Sequence, residues 1–378
     1  MTTTSWTRCP ALAVLLLTAW PAAGDDGRDP TALDVSIVRF DPGIPADSSL
    51  HREMQVFPRI REIEAKLLPF VLRETLVESG EWGAVRVVPE ADPAAELLVS
   101  GVILRSDGDV LDVAIRALDA SGRIWIDGPF SVVAGEDGPE DEDRTGEQAF
   151  RQLYEDVAGA LLEKRNGLDD KTLRTIADLS LLRYAAELAP SAFGDYFEAA
   201  EDGRFELRRL PASDDPMLQR IDRIRHTEYV ITDTVDAKYR ELNTAIDRTY
   251  RVWRSYRRKF VEYQAQNAAR AARKVDAPRG SYEALKAQYD TYKWDRITAQ
   301  EQYKAAAAFD TEVGPTVDAM EVRVEELEAW VDARYLEWRR LLEALFEVET
   351  RQEPRDSDIA DIAEQIEQLP ERTLPETR

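Results

Sequence analysis

Six basic side chains, Arg248, Arg251, Arg254, Arg257, Arg258 and Lys259, recur first at intervals of three, a spacing that aligns side chains along one side of a helix, and then in direct succession. A stripe of this kind holds anions, whether a lipid headgroup, a wall polymer or an acidic protein surface. It lies within a longer basic run, because residues 248–274 carry nine Lys and Arg against one acid, Glu262. Its surroundings have the opposite sign. The 378-residue chain has 73 Asp and Glu against 49 Lys and Arg, a formal net charge of -24. Residues 25–165 alone hold 15 basic and 30 acidic side chains, a net of -15. That balance argues against nucleic acid as a partner, since phosphate affinity needs a basic footprint. Three fates are open to the stripe: binding an external anion, docking on the acidic amino-terminal domain of the same or another subunit, or standing as a solvated face.

The other reactive residue types offer less. His51 and His226 stand alone, the first in a loop and the second on the flank of a helix, whereas a general base or a metal ligand needs converging partners. The one Cys, Cys9, excludes a disulfide partner, a Cys-based zinc site and an iron–sulfur cluster. Residues 136–143 (EDGPEDED) pack six carboxylates into eight positions, which would suit a hard cation. They lack the EF-hand pattern of alternating Asp or Asn with glycine at the sixth place and glutamate at the twelfth, so they read as a solvated acidic loop. No GxSxG, Walker A, HExxH, GxGxxG or CxxC motif is present. No catalytic residue, metal or cofactor is assigned on these grounds. Paired carboxylates can still cleave a glycosidic bond, which leaves a carboxylate-dependent cell-wall hydrolase as the enzymatic alternative.

The elements that must position the stripe begin after an export signal. Arg8 precedes a ten-residue apolar run, Ala11 to Trp20, and Pro21, Ala22, Ala23 and Gly24 follow. This is the pattern of a cleavable signal peptide over residues 1–24, and the run is shorter than the roughly 20 residues that span a bilayer. The expected location is exported, in the periplasm. Cleavage would remove Cys9 and leave a mature chain without thiols.

Residues 30–165 read as a small mixed α/β domain. Leu33 to Phe40 alternates as a strand, and Ile60, Ile63, Leu67 and Val71 form one apolar helix face that Pro69 should kink or divide. Ser79 and Gly80 end that helix, and Ala84 to Val88 is a second strand beside Trp82, a core or rim aromatic. Three antiparallel strands follow, Glu96 to Ser106, Val110 to Leu118 and Arg123 to Val132, joined by Asp- and Gly-bearing turns. A helix from Glu147 to Lys164, opened by a Thr145–Gln148 capping box, is the second cover for the sheet. The segments VSIVRFDPG, ELLVSGVILRSDG and VAIRALDASGRIW, in this order of elements, resemble the small α/β domain shared by the amino-terminal part of the Tol translocation protein TolB and the curli-export lipoproteins of bacterial envelopes. The resemblance covers roughly 130 residues and implies envelope assembly and protein contact, not catalysis. The lipobox of the lipoprotein members is missing from this chain.

Residues 166–215 read as a helical connector, with two shorter helices at Lys171 to Leu188 and Ala192 to Ala200, followed by the segment Arg204 to Leu210. Asp215 and Pro216 then start a helix with no Gly or Pro before Pro278, about 60 residues or roughly 90 Å. Two interleaved heptad series run through it: Val235, Leu242, Tyr256, Tyr263 and Tyr239, Ile246, Trp253, Phe260. Residues 276–280 form a turn. A second frame runs from Tyr282, Leu285, Tyr289 and Tyr292 through Ala299, Tyr303, Ala306 and Val313 to Val348. Arg296, Asp310 and Arg334 interrupt its seam, and a kink is expected at Gly314–Pro315. The fold class is thus α+β, an α/β domain with an antiparallel meander followed by a long antiparallel, coiled-coil-like hairpin over 216–350. A charged, Pro-containing tail, 351–378, carries one short amphipathic helix. The function this organisation implies is a non-enzymatic envelope scaffold whose partner is an envelope protein or a second copy of itself. A peripheral protein that meets an anionic membrane through the basic stripe is the other alternative.

Overall fold

The computed structural model describes residues 29, 31–54, 56–107, 110–133, 150–201, 203–212 and 215–273, and an interrupted set between 281 and 344. The expected signal peptide, the acidic loop 136–143, the Thr145–Gln148 box, the turn at 276–280 and the tail from 351 lie outside the described residues.

Alternating small and β-branched residues set β1 (Val35–Val38), and a short helix α1 (Ser48–Glu53) leads to α2 (Pro58–Ser79). His51, placed in a loop by its sequence surroundings, lies on α1, where Nε2 is 2.8 Å from the Pro45 carbonyl. The helix α2 runs unbroken through Pro69, so the expected division does not occur. Proline leaves the carbonyl four residues back without its helical partner. Here that carbonyl, Ala65 O, accepts from the Phe40 backbone N–H at 3.0 Å, a bond from outside the helix. Gly80 ends α2 at φ 69°, a left-handed conformation that costs glycine little, and donates to the Val77 carbonyl.

The chain continues through β2 (Val85–Val88), β3 (Leu97–Ser106), β4 (Val110–Asp119) and β5 (Ile124–Val133). These complete a five-stranded sheet of order β2-β1-β3-β4-β5, in which β1 is parallel to both neighbours and β3, β4 and β5 form the antiparallel meander. Next comes α3 (Arg151–Asn166), with Phe150 as N-cap. Leu68, Leu72 and Leu76 of α2 and Leu153, Val157 and Leu161 of α3 bury one face of the sheet. Trp82 joins this core beside Trp125, their rings 6.4 Å apart.

Asp169 caps α4 (Asp170–Leu188) by accepting from the Thr172 N–H at 2.8 Å, and the one-turn α5 (Pro190–Phe193) follows. In place of the end of the helix expected at Ala192 to Ala200, Phe197–Ala199 is a strand, β6, that pairs with β7 (Phe205–Leu207) of the following segment in a two-stranded hairpin. The triplets Phe-Glu-Ala and Phe-Glu-Leu alternate, Gly203 takes φ 80° in the turn, and Phe197 packs on Phe205 at 5.9 Å. Cross-strand aromatic contact and the turn outweigh the helical propensity of Glu and Ala.

The helix α6 (Pro216–Arg273) begins where Asp215 accepts from the Met217 N–H at 2.9 Å, and its 58 residues span about 87 Å. Its first turns, Met217, Ile221 and Ile224, pack on Leu182, Ala185, Leu188 and Phe193, with Leu341 at the margin. Further along, Tyr250 and Trp253 pack with Ile60, Ile63 and Leu67 of α2 and with Val313. The stripe Ile60–Ile63–Leu67 therefore faces the long arm and not the sheet, which α2 meets with its other side. Among the described residues no helix is long and apolar enough to cross a membrane.

Candidate functional site

A helix buried against two partners can carry charge only where both partners satisfy it. On α2, Arg61 and Glu64 occupy such places, at 5% and 3% exposure. Glu64 Oε1 accepts from Tyr250 Oη of α6 and from Ser106 Oγ of β3, both at 2.8 Å. Arg61 donates to the Ile103 carbonyl at 3.1 Å, and its Nε lies 3.9 Å from Glu64 Oε2.

From α6, Arg254 donates to Tyr250 Oη at 3.4 Å and stands over the Phe150 ring, 3.8 Å from its centroid. Arg257 lies between Phe57, at 5.2 Å, and Trp253, at 5.9 Å, while those two rings meet edge to face at 4.9 Å. Burial pulls the Arg257 pKa down to about 10, against the pull of Asp107 and Glu64. Burial also raises the Tyr250 phenol, and the neighbouring Glu64 carboxylate adds to that, so Tyr250 remains a proton donor at physiological pH.

The same helix covers the edge of the sheet. Asp236 Oδ1 accepts from the Val87 backbone N–H of β2 at 3.2 Å, and Oδ2 lies 3.1 Å from Arg73 Nε. Burial raises the Asp236 pKa to about 6, with Arg73 opposing. Arg86 reaches Asp233 at 2.9 Å and Asp34 at 3.7 Å while lying over the Tyr229 ring at 4.0 Å. Near the start of α6, Arg225 donates to Ser180 Oγ at 2.7 Å, and burial raises Glu228 to about 7, with a Tyr184 hydrogen bond opposing.

The six stripe residues are therefore divided. Arg254 and Arg257 are buried against the α/β domain, Arg251 and Arg258 are half-buried, and Lys259 is exposed. Arg258 lies 3.6 Å from Glu262 one turn on, and the side chain of Arg248 lies outside the described residues. The stripe is not one outward cationic surface. Glu64, the carboxylate that the stripe reaches through Tyr250, was missed, and so was the separate group of Arg73, Arg86 and Asp236 at the sheet edge. Glu64 had a signal, since it falls between Ile60 and Leu67 on an apolar helix face.

No family model matches the chain. No curated protein matches it either. Among solved structures it is similar to PelC from Paraburkholderia phytofirmans, solved as a dodecamer, with 14% identity, a TM-score of 0.21, and coverage of 36% of this chain and 89% of that one.

Two clefts offer alternative sites. One, of about 530 Å³, lies between the start of α4 and the β6–β7 hairpin and has Asp169 and Glu206 as its carboxylates. Hydrogen bonds from Thr172 hold the Asp169 pKa below the usual carboxylate value, so Asp169 serves as a cap and not as a general acid. The other, about 450 Å³, lies where Phe57 and Arg59 meet Tyr303 and Asp310, with Arg59 Nε 3.3 Å from Asp310. Among the described residues no group of three or more His, Cys, Asp or Glu side chains is placed to hold a metal ion.

Proposed function

We propose that the chain is an exported, non-enzymatic cell-envelope scaffold, in which the α/β domain is a protein-binding platform and the helical arm a projection seated on it in one orientation. The seating carries this reading. Tyr250, Arg254 and Arg257 are buried on the α/β domain, and a scaffold requires two surfaces held in fixed relation. Buried polar contacts of this kind specify an orientation, because breaking one leaves an unsatisfied group.

The signal-like residues 1–24 support export, and the resemblance of the first strands to envelope domains of the TolB and curli-export type supports the compartment. The second face of the sheet supports a binding role, since Val102, Leu104 and Ile124 are exposed there at 38%, 51% and 50%. Contact with an anionic membrane through the stripe loses support, because two of its arginines face inward. The hydrolase alternative loses support, because Asp169 in the larger of the two clefts is engaged as the cap of α4.

The test is cell fractionation of the full chain with photoreactive residues at Leu104 and, separately, Tyr289. The expected result is a processed chain in the periplasmic fraction and a discrete adduct from at least one position. An unprocessed chain confined to the cytosol, or no adduct from either position, overturns the proposal.

A further inference from the structure

Two turns that abut each place an arginine directly after a left-handed glycine. Gly122, at φ 83°, precedes Arg123 between β4 and β5, and Gly203, at φ 80°, precedes Arg204 between β6 and β7. The turns touch, since the Phe205 backbone N–H donates to the Ser121 carbonyl at 2.8 Å and a Cβ at position 122 would lie 3.6 Å from Arg204 Cα. Both arginines line the cleft of about 530 Å³ beside the start of α4, and Lys171 lines it from that helix. Helix α4 is fixed against the same turns, because Arg183 donates to the Ala120 carbonyl at 2.7 Å and lies 4.0 Å from the centroid of the Phe205 ring. The cavity is therefore preformed, with the buried Ile176 and Leu179 and the half-buried Phe205 as its apolar floor.

The hydroxyl protons along its wall are committed. Ser121 Oγ donates to Asp119 at 2.5 Å, Thr175 Oγ1 donates to the Lys171 carbonyl at 2.9 Å, and the Thr172 side chain hydrogen-bonds Asp169. The donors that remain are cations. Arg123 is half-buried, yet its guanidinium reaches no carboxylate or carbonyl among the described residues, and Lys171 forms no salt bridge among them. Setting Arg204 in the turn next to Arg123 brings like charges together in a chain whose net charge is -24. Two carboxylates share the lining. Asp169 is engaged as the α4 cap, so the terminus of that helix is already filled. Glu206 alternates with Phe205 and Leu207 on β7, so its carboxylate leaves the strand on the side opposite to theirs.

We propose that this cleft binds a small organic anion, its carboxylate or phosphate group held by Arg123, Arg204 and Lys171 and its apolar body resting on Phe205 and Ile176. The proposal goes beyond the scaffold reading and stands without it. An oxyanion is acceptor-only, which matches a wall whose remaining donors are charged, and the guanidinium fork meets it with two parallel bonds. A neutral sugar needs acceptors for its own hydroxyl protons, and three basic side chains repel a metal cation. A long polyanion would meet the acidic remainder of the chain, so the ligand is small.

The probes are benzoate and phenyl phosphate, each an oxyanion on an apolar ring, with inorganic phosphate and benzyl alcohol as the separate halves. They are added to the full chain and read by saturation-transfer NMR and titration. At least one whole probe should bind with a Kd of about 1 mM or tighter, and each half roughly tenfold more weakly or worse. Arg123→Gln should weaken that probe by about tenfold or more while helicity and melting temperature stay unchanged, since the side chain holds nothing inside the protein. Arg116→Gln removes an arginine on β4 that lies 3.8 Å from Asp127 and outside the cleft, and it should leave binding as in wild type. The proposal is overturned if neither whole probe binds, or if inorganic phosphate binds as tightly as phenyl phosphate. It is equally overturned if Arg123→Gln and Arg116→Gln bind alike, which would mean that the probe samples the whole surface.

Discussion

Tyr250 donates to Glu64 at 2.8 Å in a place from which water is excluded, and Arg254 donates to the same phenol oxygen. Tyr250→Phe keeps the ring and removes the proton, leaving a buried carboxylate oxygen with one donor fewer. The expected cost is about 1–3 kcal/mol, read as a lower denaturation midpoint without a change in slope. An unchanged midpoint would mean that the phenol does not help seat the arm. Glu228 supplies a second prediction. Its folded pKa of about 7 lies above the ordinary 4.5, because burial disfavours the charged form. Between those values the folded state holds a proton that the unfolded state has released, so this group's contribution to stability is complete below about pH 4.5 and falls as pH rises toward 7. Glu228→Gln removes that loss. The melting temperature of the variant relative to wild type should rise steadily from pH 4.5 to pH 7.5, and a constant difference would refute the assignment.

An edge strand presents unpaired backbone groups, and β2 is the edge where the order of the sheet begins. The helix α6 closes it with one side chain, since Asp236 takes the Val87 N–H and Arg73 together. Asp236→Ala leaves both without that acceptor. The expected loss is about 2–4 kcal/mol, with faster amide exchange at Val87 and little change at Ile115 in the strand interior. Equal acceleration at both amides would show global loosening instead. The strands of the sheet were legible because Val35–Val38 and Leu97–Ser106 alternate, and the start of α6 was legible because Asp215 and Pro216 are a cap and a first-turn residue. The β6–β7 pair was not, since three-residue strands are shorter than any periodicity that distinguishes them from a helix. The arginine stripe was legible as a pattern, but its fate was not, because the partners of Arg254 and Arg257 come from α2, from the segment before it and from the start of α3, far away in sequence.

At the scale of the molecule, two of the three apolar clusters among the described residues include α6, so the arm shares core with α2 and α4 and is not a spacer hung from the α/β domain. Ile60, Ile63 and Leu67, at 4%, 1% and 4% exposure, are covered by Tyr250, Trp253 and Val313 and by no strand of the sheet. A chain ending before Pro216 would expose them together with Glu64. It should bind a hydrophobic dye, aggregate, and melt well below the full chain. The decisive comparison is reciprocal: Ile60→Gln with Ile63→Lys should improve the solubility of the shortened chain and destabilise the full one by about 2–5 kcal/mol per site, because the same surface is solvent-facing in the first and core in the second. If the pair of substitutions acts in the same direction in both chains, the arm is not seated on α2. If the shortened chain is already soluble and melts like the full one, the α/β domain is independent and the buried arginines contribute orientation alone.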